Sequence, residues 1–397
     1  MKCKITNRSL DPFMSFGKMP IANGFIEKNR FSEEFFFNME IGFNEEISLL
    51  QLNDHPKPEK MFNEKYPFFT SSSEYMKNHF KNYAKFVQKY LKSDSKIIEI
   101  GSNDGTFLQN LIKDKNQVVG FEPSKNVADI ALEKNIPTIN KFFNKNSVKE
   151  LENFIKKTDL ICASNVICHI PNLNDVIKSI DTLLSDRGVF VFEEPYLGSM
   201  FKKTSYDQIY DAHIFMFSVH SVRSIFKNKG FDLIDAIPQK THGGSMRYII
   251  ARKGARKIKN NIKVLLKKEK RQKLNKINSC LKFKKNCIKS RDNFRKKIIK
   301  LKKEGKSICG YAASAKSTTA LNFCKIDSKY IDFIADSTKE KIGKFTPGTH
   351  IPVVSIKYFR ENYPDIAVLC SWNHKKEIQQ KERGFKKAGG NWITHVK

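Results

Sequence analysis

A glycine turn in the segment KIIEIGSNDGTFLQNL (residues 96–111) combines residue types that suit ligand binding. The apolar run KIIEI predicts a strand, after which Gly101 and Gly105 bracket a tight turn before a predicted helix. Backbone N–H groups at such a turn favour negative or polar ligand groups, and glycine lets a ligand approach closely. The dinucleotide pattern G-x-G-x-x-G is not met, since Asn103 and Thr106 occupy its second and third glycine positions. The turn therefore lacks the glycine pattern with which dinucleotide-binding folds bind a pyrophosphate.

A carboxylate follows this turn at the spacing of a nucleoside site. About 20 residues later, VVGFEPS places Glu122 at the end of the next predicted strand, where a carboxylate can bind both ribose hydroxyls. The pattern E-x-G-x-x-x-G of the turn itself resembles the first motif of class I S-adenosylmethionine-dependent methyltransferases. We therefore expect S-adenosylmethionine as cofactor, held by Glu99, Gly101, Ser102, Asn103, Gly105, Glu122, Pro123 and Asn165.

Two further segments place imidazole groups in apolar surroundings. His213 lies in YDAHIFMF, where desolvation would favour the neutral form that a general base needs; the alternative is a satisfied core histidine. Asn165 and His169 lie in SNVICHI, at the end of a predicted strand, where ligands gather in open α/β sheets. For these two, the alternative is a polar cap on the strand.

The elements that must position these residues form three blocks. Residues 1–75 are rich in Phe and Asn, and they show turn punctuation but no long helical period. Residues 76–250 alternate β-rich runs with amphipathic stretches, which predicts a doubly wound, mostly parallel sheet. Residues 251–397 begin with a basic helical region, after which SICGYAA, YIDFIAD and DIAVLCSW predict a second, smaller α/β domain.

The net charge of +31 is concentrated in one region. Residues 252–306 carry 24 Lys and Arg against three acids, and the apolar positions there recur at helical spacings: Leu274, Ile277, Leu281, Ile288, Phe294, Ile298 and Leu301. This pattern favours two helices with an apolar inner face over nucleic-acid binding, since base-stacking aromatics are not interleaved with the charges. An anionic substrate could still benefit from the field.

The start of the chain, its apolar runs and its cysteines indicate the cellular compartment of the protein. The start of the chain lacks the apolar core of a signal peptide, and no run approaches the roughly 20 apolar residues that span a bilayer. The eight cysteines are scattered without a CxxC pair, as expected of reduced thiols. We therefore expect a cytoplasmic protein without a disulfide framework.

Five longer stretches carry a more specific resemblance. They are DLICASNVICHIPNL, QIYDAHIFMFS, HGGSMR, GYAASAKSTTALNF and DFIADSTKEKIGKFTPGTHIPV. Together they resemble the nucleotide-sugar C-methyltransferases, which place methyl branches on keto-deoxysugars of antibiotics and surface polysaccharides. The likeness runs over almost the whole chain. It implies an N-terminal metal-binding module, a methyltransferase domain and a C-terminal α/β domain, with a nucleotide-linked keto-deoxysugar as substrate.

The resemblance also implies roles for residues near the sugar. His213 matches the family's proposed base, Tyr210 matches a family tyrosine beside the sugar, and Tyr66 in YPFFTSSS is a candidate second phenol. His169 and Asn165 match a family pair that approaches sugar and cofactor. The family motif Tyr-His-Glu-His reads Tyr-Asp-Ala-His here, so that Ala212 replaces a glutamate; either the substrate contacts have changed or Asp211 compensates.

The N-terminal module departs from the family pattern. The family module usually holds zinc with two CxxC pairs, whereas only Cys3 remains here and position 6 is Thr. We therefore predict that the module is retained without its metal, with its many phenylalanines replacing the zinc as the source of packing. No catalytic metal is expected either.

The segment GYAASAKS nearly spells a phosphate-binding P-loop. Ala315 replaces its second glycine, and the methyl group obstructs the backbone cradle, so ATPase activity is not expected. The turn with Ser314, Lys316 and Ser317 could still bind the diphosphate of a sugar nucleotide. HGGSMR is a second substrate-binding candidate, although Gly-Gly is otherwise an ordinary tight turn; its residues are His242, Gly243, Gly244 and Arg247.

These observations lead to one functional expectation and two alternatives. We expect S-adenosylmethionine-dependent C-methylation of a nucleotide-linked keto-deoxysugar, in which His213 removes the proton alpha to the ketone. An O- or N-methyltransferase on a related glycan precursor keeps the cofactor and is motivated by Ala212. A non-catalytic nucleic-acid-binding protein would use the basic region and would show steep salt dependence.

Overall fold

The computed structural model describes residues 1–112 and 115–396. It contains three sheets, of four, seven and five strands. The predicted class of fold, an α/β methyltransferase-type sheet with a second smaller α/β domain and a small N-terminal module, is confirmed by the topology.

The first sheet is antiparallel and has four strands. Its own strands are β1 (Pro12–Pro20), β2 (Phe36–Asn44) and β3 (Leu49–Leu52), followed by the short helix α1 (Pro58–Met61). The fourth strand, Phe215–Met216, comes from the His213 segment and pairs with β3. The N-terminal module is therefore tied directly to the part of the chain that carries the predicted base.

Aromatic packing fills this module. Phe13, Phe16, Phe37 and Phe43 are buried, and the Phe16 ring lies 4.8 Å from the ring of Phe323 in the C-terminal domain. Cys3 is buried too, and its sulfur accepts a hydrogen bond from the Thr6 N–H at 3.5 Å. A structural zinc ion takes four ligands, so Cys3, as the one remaining cysteine of the family pattern, does not fit a zinc site. The loss of zinc stays a prediction.

The central sheet has seven strands and positions the site. Its strands are β4 (Lys96–Ile100), β5 (Gln117–Phe121), β6 (Thr138–Ile139), β7 (Thr158–Ser164), β8 (Leu184–Pro195), β10 (Phe231–Gln239) and β11 (Ser245–Arg252). The helices of this part of the chain are α2 (Glu74–Val87), α3 (Lys125–Glu133), α4 (Leu173–Leu183), α5 (Leu197–Lys203) and α6 (Val219–Lys227), and the strand Phe215–Met216 of the first sheet is β9. The strand order is β10-β11-β8-β7-β4-β5-β6, with β11 antiparallel to both neighbours. The four consecutive pairs from β8 to β6 are parallel, so their carboxyl ends meet at one edge.

One helix predicted by the sequence does not form. The chain after Gly105 makes only the 3-10 turn Leu108–Asn110 before it reaches the end of the first described range. Gly105 itself has φ +75°, and a Cβ there would lie 2.3 Å from Ile136 Cδ1. The glycine therefore serves close packing inside the turn rather than the start of a helix.

The C-terminal domain follows two basic helices, α7 (Asn260–Arg271) and α8 (Ile277–Lys303). Its five strands are all parallel in the order β14-β13-β12-β15-β16. The elements are β12 (Ile308–Tyr311), α9 (Ala315–Cys324), β13 (Ile334–Asp336), β14 (Val353–Ser355), α10 (Ile356–Glu361), β15 (Ile366–Leu369), α11 (Lys375–Lys381), α12 (Arg383–Lys387) and β16 (Asn391–Ile393).

The basic region buries most of the predicted stripe, including Leu274, Phe294 and Ile298, but departs from it in the first half of α8. Cys280, Phe283 and Cys287 form the inner face of the first half of α8, whereas Leu281 is 47% exposed and Ile288 is only half-buried. The prediction for Leu281 was wrong because buried cysteines behave as small apolar residues and complete the stripe one position away. All eight cysteines lie in the described ranges as buried free thiols.

Candidate active site

A cavity of about 370 Å³ lies at the carboxyl edge of the central sheet and extends to the C-terminal domain. The turn after β4, the end of β5 and the turn after β7 form one side, and the start of α9 forms the other. Thirteen predicted residues line it: Tyr66, Glu99, Gly101, Ser102, Asn103, Glu122, Pro123, Asn165, His169, Tyr210, His242, Ser314 and Lys316. Five predicted residues do not: Gly105, His213, Gly243, Gly244 and Arg247.

Two carboxylates mark the cofactor side of this cavity. Glu122 Oε2 accepts the Asn103 N–H at 3.1 Å and Oε1 accepts the Ser124 N–H at 2.8 Å, which fixes the carboxylate at the lip of β5. Glu99 is buried, and burial raises its pKa well above the ordinary value, with Asp104 and Glu122 adding negative charge nearby. A carboxylate in this state favours a positively charged or hydrogen-bond-donating ligand group.

The turn leaves polar atoms without protein partners. Within residues 1–112 and 115–396, Glu99 Oε2, Ser102 Oγ and Asn165 Oδ1 are buried and accept or donate no hydrogen bond, although all three residues line the cavity. Gly101 has φ +68°, and a Cβ would lie 2.4 Å from Val166 Cγ2. Buried polar groups are normally satisfied, so these orphaned atoms fit a ligand with amino and hydroxyl groups, as S-adenosylmethionine has.

A short segment covers this turn from the N-terminal side. The Asn103 side chain accepts the Thr70 N–H at 2.8 Å and donates to the Phe68 carbonyl at 3.1 Å, and Asp104 Oδ2 accepts the Ser71 N–H at 2.9 Å. The segment 66–73, which contains Tyr66, is thereby held over the cofactor turn. The sequence prediction missed Asp104; its signal was an acidic residue inside a glycine turn, the type that accepts backbone N–H groups.

His213 lies behind Tyr210 rather than at the cavity wall. Its Nδ1–H donates to the Gln208 carbonyl at 2.7 Å, and because a carbonyl only accepts, the lone pair is left on Nε2. Nε2 accepts a hydrogen bond from the Tyr210 hydroxyl, and the two rings are 3.8 Å apart between centroids. Tyr210 is thus the group that faces the cavity, and His213 is the proton acceptor behind it.

His169 offers a second imidazole directly to the cavity. Its ring stacks between Phe62 and His213, with centroid distances of 5.5 and 5.2 Å. Among the described residues Nε2 is buried and has no hydrogen-bond partner, and desolvation lowers the pKa of the ring to about 4. His169 is therefore neutral at ordinary pH and can donate or accept one hydrogen bond with a ligand.

The Asp211 carboxylate faces away from the cavity. It is buried, and Oδ2 accepts the Ala22 N–H at 3.1 Å, which ties the N-terminal module to the Tyr210 segment. Burial raises its pKa to about 7. Ala212 is buried as well, so the family glutamate has no carboxylate replacement at the cavity wall from either position.

The C-terminal domain contributes a buried cation. Lys316 is 7% exposed, and Nζ donates to Asn373 Oδ1 at 3.3 Å. Desolvation lowers its pKa to about 8, partly offset by Asp207. Ser314 caps α9, with its Oγ accepting the Ser317 N–H at 3.4 Å. The start of α9 therefore presents a positive group and a helix N-terminus to the cavity.

The HGGSMR segment is used differently from the prediction. Arg247 is buried and pairs with Glu193, Nε to Oε1 at 2.5 Å, under the rings of Tyr83 and Phe86. Its guanidinium fork is therefore occupied. Gly243 and Gly244 pack closely on Trp372 and Ser199, where a Cβ would lie 2.1 and 2.5 Å from the neighbouring side chain. His242 alone of this segment lines the cavity.

One group of potential metal ligands lies in the described chain beside the cavity: Cys168, His169 and His213, whose donor atoms lie within 4.8 Å of one another. Both ring nitrogens of His213 are already engaged, by Gln208 and by Tyr210. The set therefore does not present three free donors, and we derive no step through a metal here.

Three family models match the chain in succession. A zinc binding domain model covers residues 3–62, a methyltransferase domain model covers 74–236, and a C-methyltransferase C-terminal domain model covers 240–396. By these matches the chain is an S-adenosylmethionine-dependent methyltransferase, and its C-terminal part is similar to the C-terminal domain of C-methyltransferases. The matches confirm the predicted cofactor and the predicted class of enzyme.

One curated protein and several solved structures are similar to this chain or to parts of it. The chain is 26% identical over 387 residues to C-methyltransferase NovU of Streptomyces niveus, covering 96% of this chain and 92% of that protein. Solved structures similar to parts of it include the PH0226 protein of Pyrococcus horikoshii OT3, with a TM-score of 0.39, 16% identity, and coverage of 50% of this chain and 100% of that one. A SAM dependent methyltransferase from Archaeoglobus fulgidus gives a TM-score of 0.34, with 16% identity and coverage of 41% and 72%. In the described part of this methyltransferase, no helix is both long and apolar enough for a membrane crossing.

The pKa of His213 predicts the acid limb of the pH profile. Burial lowers this pKa well below 6.5, and His169, His242 and Lys316 lower it further, against the Gln208 carbonyl, which raises it. The neutral, proton-accepting form therefore persists below pH 6.5, and kcat/KM should hold at about pH 6 and fall only at lower pH. We would measure kcat/KM from about pH 4.5 to 9 while monitoring folding by circular dichroism. A limb centred at or above pH 6.5 in folded enzyme would contradict this prediction.

Proposed function

We propose that this C-methyltransferase transfers the methyl group to a carbon alpha to the ketone of a nucleotide-linked keto-deoxysugar. The observation that carries the proposal is the hydrogen-bonded Tyr210–His213 pair, in which Tyr210 lines a cavity that joins the cofactor turn to the buried Lys316. Methylation of carbon needs a proton acceptor beside the cofactor site. Methylation of an oxygen or nitrogen that already has a free lone pair does not need one.

Carbon becomes a nucleophile only after it loses a proton. A sugar carbon is acidic beside a carbonyl, so the protein must accept that proton, stabilise the enolate oxygen and exclude water. Bound S-adenosylmethionine supplies an electrophilic methyl group on its sulfonium. Glu122 would hold the ribose hydroxyls, while Glu99 and Ser102 would hold the polar groups of the cofactor through their unpartnered atoms.

The proton moves through Tyr210. As the alpha carbon of the sugar gives its proton to the phenol oxygen, the Tyr210 O–H proton passes to Nε2 of His213, and the electron pair of the C–H bond enters the enolate. His213 then carries the extra proton, while Nδ1–H stays bonded to the Gln208 carbonyl. The enolate carbon would then take the methyl group of the bound sulfonium, whose carbon–sulfur bond breaks to leave S-adenosylhomocysteine, and His213 would later release its proton to solvent.

His169 is the proposed partner of the enolate oxygen. Its neutral ring can donate one N–H into the cavity, and stacking on Phe62 and His213 fixes the direction of that bond. A fixed donor aimed at developing negative charge stabilises the transition state more than water would. Lys316, on the opposite side of the cavity, would bind the phosphates of the nucleotide.

A ketone requirement tests the proposal. The enzyme should methylate nucleotide-linked 4-keto-6-deoxysugars, and the same sugars with the ketone reduced to a hydroxyl should give no product, since no carbon is then acidic. Mass spectrometry of the product, with NMR to assign the methylated atom, measures this. Methylation of the reduced sugars, or a methyl group on oxygen or nitrogen, would contradict C-methylation by this route.

A further inference from the structure

A second cavity, of about 480 Å³, adjoins the catalytic cavity between the N-terminal module and the C-terminal domain. We call it the outer chamber. Asn23 and Tyr66 line both cavities, so the two meet at these side chains. The remaining walls of the outer chamber come from residues 21–35 and 60–67 and from Glu340 and Lys344.

We infer that the outer chamber binds the nucleoside of the substrate, and that Lys341 binds its diphosphate together with Lys316 at the junction. This inference rests on the proposed function and names the place of the nucleotide. It assigns the recognition of the base to the N-terminal module rather than to the methyltransferase domain.

The volume of the catalytic cavity supports a second chamber. Ligand sites occupy roughly 300–1,000 Å³, so 370 Å³ lies near the lower limit. The nucleoside and amino acid of the cofactor and the sugar ring of the substrate must share that volume. A second nucleoside therefore has to lie outside it, and the outer chamber opens from the same wall.

Lys341 lies at the junction as a buried cation. It is 7% exposed and lines the catalytic cavity, and its Nζ lies 5.1 Å from the ring of Phe25, which lines the outer chamber. Nζ donates one hydrogen bond, to the Ala313 carbonyl at 2.8 Å, which leaves two N–H groups for a ligand. Lys341 follows β13, at the carboxyl edge of a parallel strand, a signal that the sequence prediction did not use.

Neither buried ammonium group forms an ion pair within the described residues. The Lys316 ammonium group donates a hydrogen bond to the side-chain amide oxygen of Asn373, and the Lys341 ammonium group donates one to the Ala313 carbonyl. Buried charges are costly unless they are paired, and desolvation lowers the pKa of both lysines, although Asp207 partly offsets this for Lys316, and Asp336 and Glu340 for Lys341. A diphosphate between them would supply the missing negative charge through charge-assisted hydrogen bonds.

The loop that carries Asn23 is held rigidly at the junction. The Ala22 N–H donates to Asp211 Oδ2 at 3.1 Å, and the Ala22 carbonyl accepts the Thr318 hydroxyl at 2.8 Å. The side-chain amide of Asn23 has no hydrogen-bond partner in the described ranges, so it can bind a ligand that passes from one cavity to the other. Two of the acidic groups in the outer chamber are already engaged: Glu33 with Arg30, and Glu34 with His350.

Calorimetry with nucleoside diphosphates and inorganic pyrophosphate tests both the binding of the nucleoside in the outer chamber and the binding of the diphosphate by Lys341. The probes are UDP, dTDP, GDP, CDP and pyrophosphate, each titrated into the full-length enzyme saturated with S-adenosylhomocysteine. We expect at least one nucleoside diphosphate to bind about tenfold or more tightly than pyrophosphate, because the outer chamber adds contacts. Lys341→Met should weaken the binding of both kinds of probe about tenfold or more, since it removes a charge-assisted bond.

Two further variants distinguish binding at the proposed site from effects of net charge and from the binding of pyrophosphate alone. Lys339→Met makes the same change of charge on an exposed residue of the same loop and should leave both affinities unchanged. Ile26→Trp fills the outer chamber and should reduce the affinity of the nucleoside diphosphate to that of pyrophosphate, with pyrophosphate unaffected. Unchanged S-adenosylhomocysteine binding shows that each variant is folded.

Two results would overturn the inference. If Lys341→Met and Ile26→Trp bind the nucleoside diphosphates as tightly as the wild type, the nucleotide lies elsewhere, although C-methylation of nucleotide sugars by the wild type would still stand. If no nucleoside diphosphate binds and the wild type instead methylates free keto sugars, the nucleotide-linked substrate of the proposed function fails as well.

Discussion

Replacing Tyr210 by phenylalanine should reduce kcat by about 10²- to 10⁴-fold, the range that general acid–base catalysis contributes. The loss should be close to that of His213→Gln, because Tyr210 lines the cavity, His213 does not, and the two are joined by a hydrogen bond. The double variant should lose little more than either single variant, since the two groups act as one unit. Steady-state kinetics with a keto sugar nucleotide measures all three.

Tyr206→Phe is the matched control for this series. Tyr206 is fully buried, and its hydroxyl lies 3.3 Å from the sulfur of Cys324, but it does not line the cavity. Its loss should change stability and leave kcat within about threefold. Should Tyr210→Phe retain near wild-type kcat while His213→Gln is inactive, His213 would contact the substrate directly and the relay would be wrong.

The second large effect is expected at the cofactor turn. Gly101→Ala should weaken the binding of S-adenosylmethionine by about tenfold to a hundredfold, each factor of ten being 1.4 kcal/mol. Gly101 has φ +68°, and the new methyl group would meet Val166 at 2.4 Å, so the turn must move away from the position that Glu99 and Glu122 require. Calorimetric titration with S-adenosylmethionine gives the affinity.

Gly254→Ala separates backbone strain from the loss of the binding site. Gly254 has φ +76°, similar to Gly101, but a Cβ there meets nothing within 4 Å. It should lose roughly 1–2 kcal/mol of stability from the left-handed backbone alone and bind the cofactor normally. Equal losses of affinity in both variants would show that the cofactor turn is not the binding element.

The strands and the cofactor turn were predictable because local periodicity and glycine placement determine them. KIIEI and QVVGF are apolar runs between turn residues, and both became parallel strands of the central sheet. The long basic helix α8 was predictable for the same reason, through the spacing of its apolar positions, whereas α7 (Asn260–Arg271) contains none of the positions that carried the prediction. The 3-10 turn after Gly105 was not predicted, and the packing of Gly105 against Ile136 is a contact with a distant part of the chain.

The sequence could not show which residues far apart in the chain become neighbours, because strand pairing and domain packing decide this. Arg247 is paired across β11 and β8 with Glu193, so that the two side chains meet on one face and the guanidinium is neutralised. Nothing near position 247 in the chain encodes that partner. The same holds for the meeting of Lys316 and Lys341 with the cofactor turn, which depends on how the C-terminal domain packs on the central sheet.

The most direct test of the proposed proton path is solvent exchange without methyl transfer. The enzyme is incubated in deuterated water with a nucleotide-linked 4-keto-6-deoxysugar and S-adenosylhomocysteine, which has no methyl group to give, and the alpha carbon is monitored by NMR. The wild type should incorporate deuterium at that carbon, and Tyr210→Phe and His213→Gln should not. Exchange that persists undiminished in both variants, or a wild type that methylates the sugar yet never exchanges the alpha proton, would contradict proton removal by this pair.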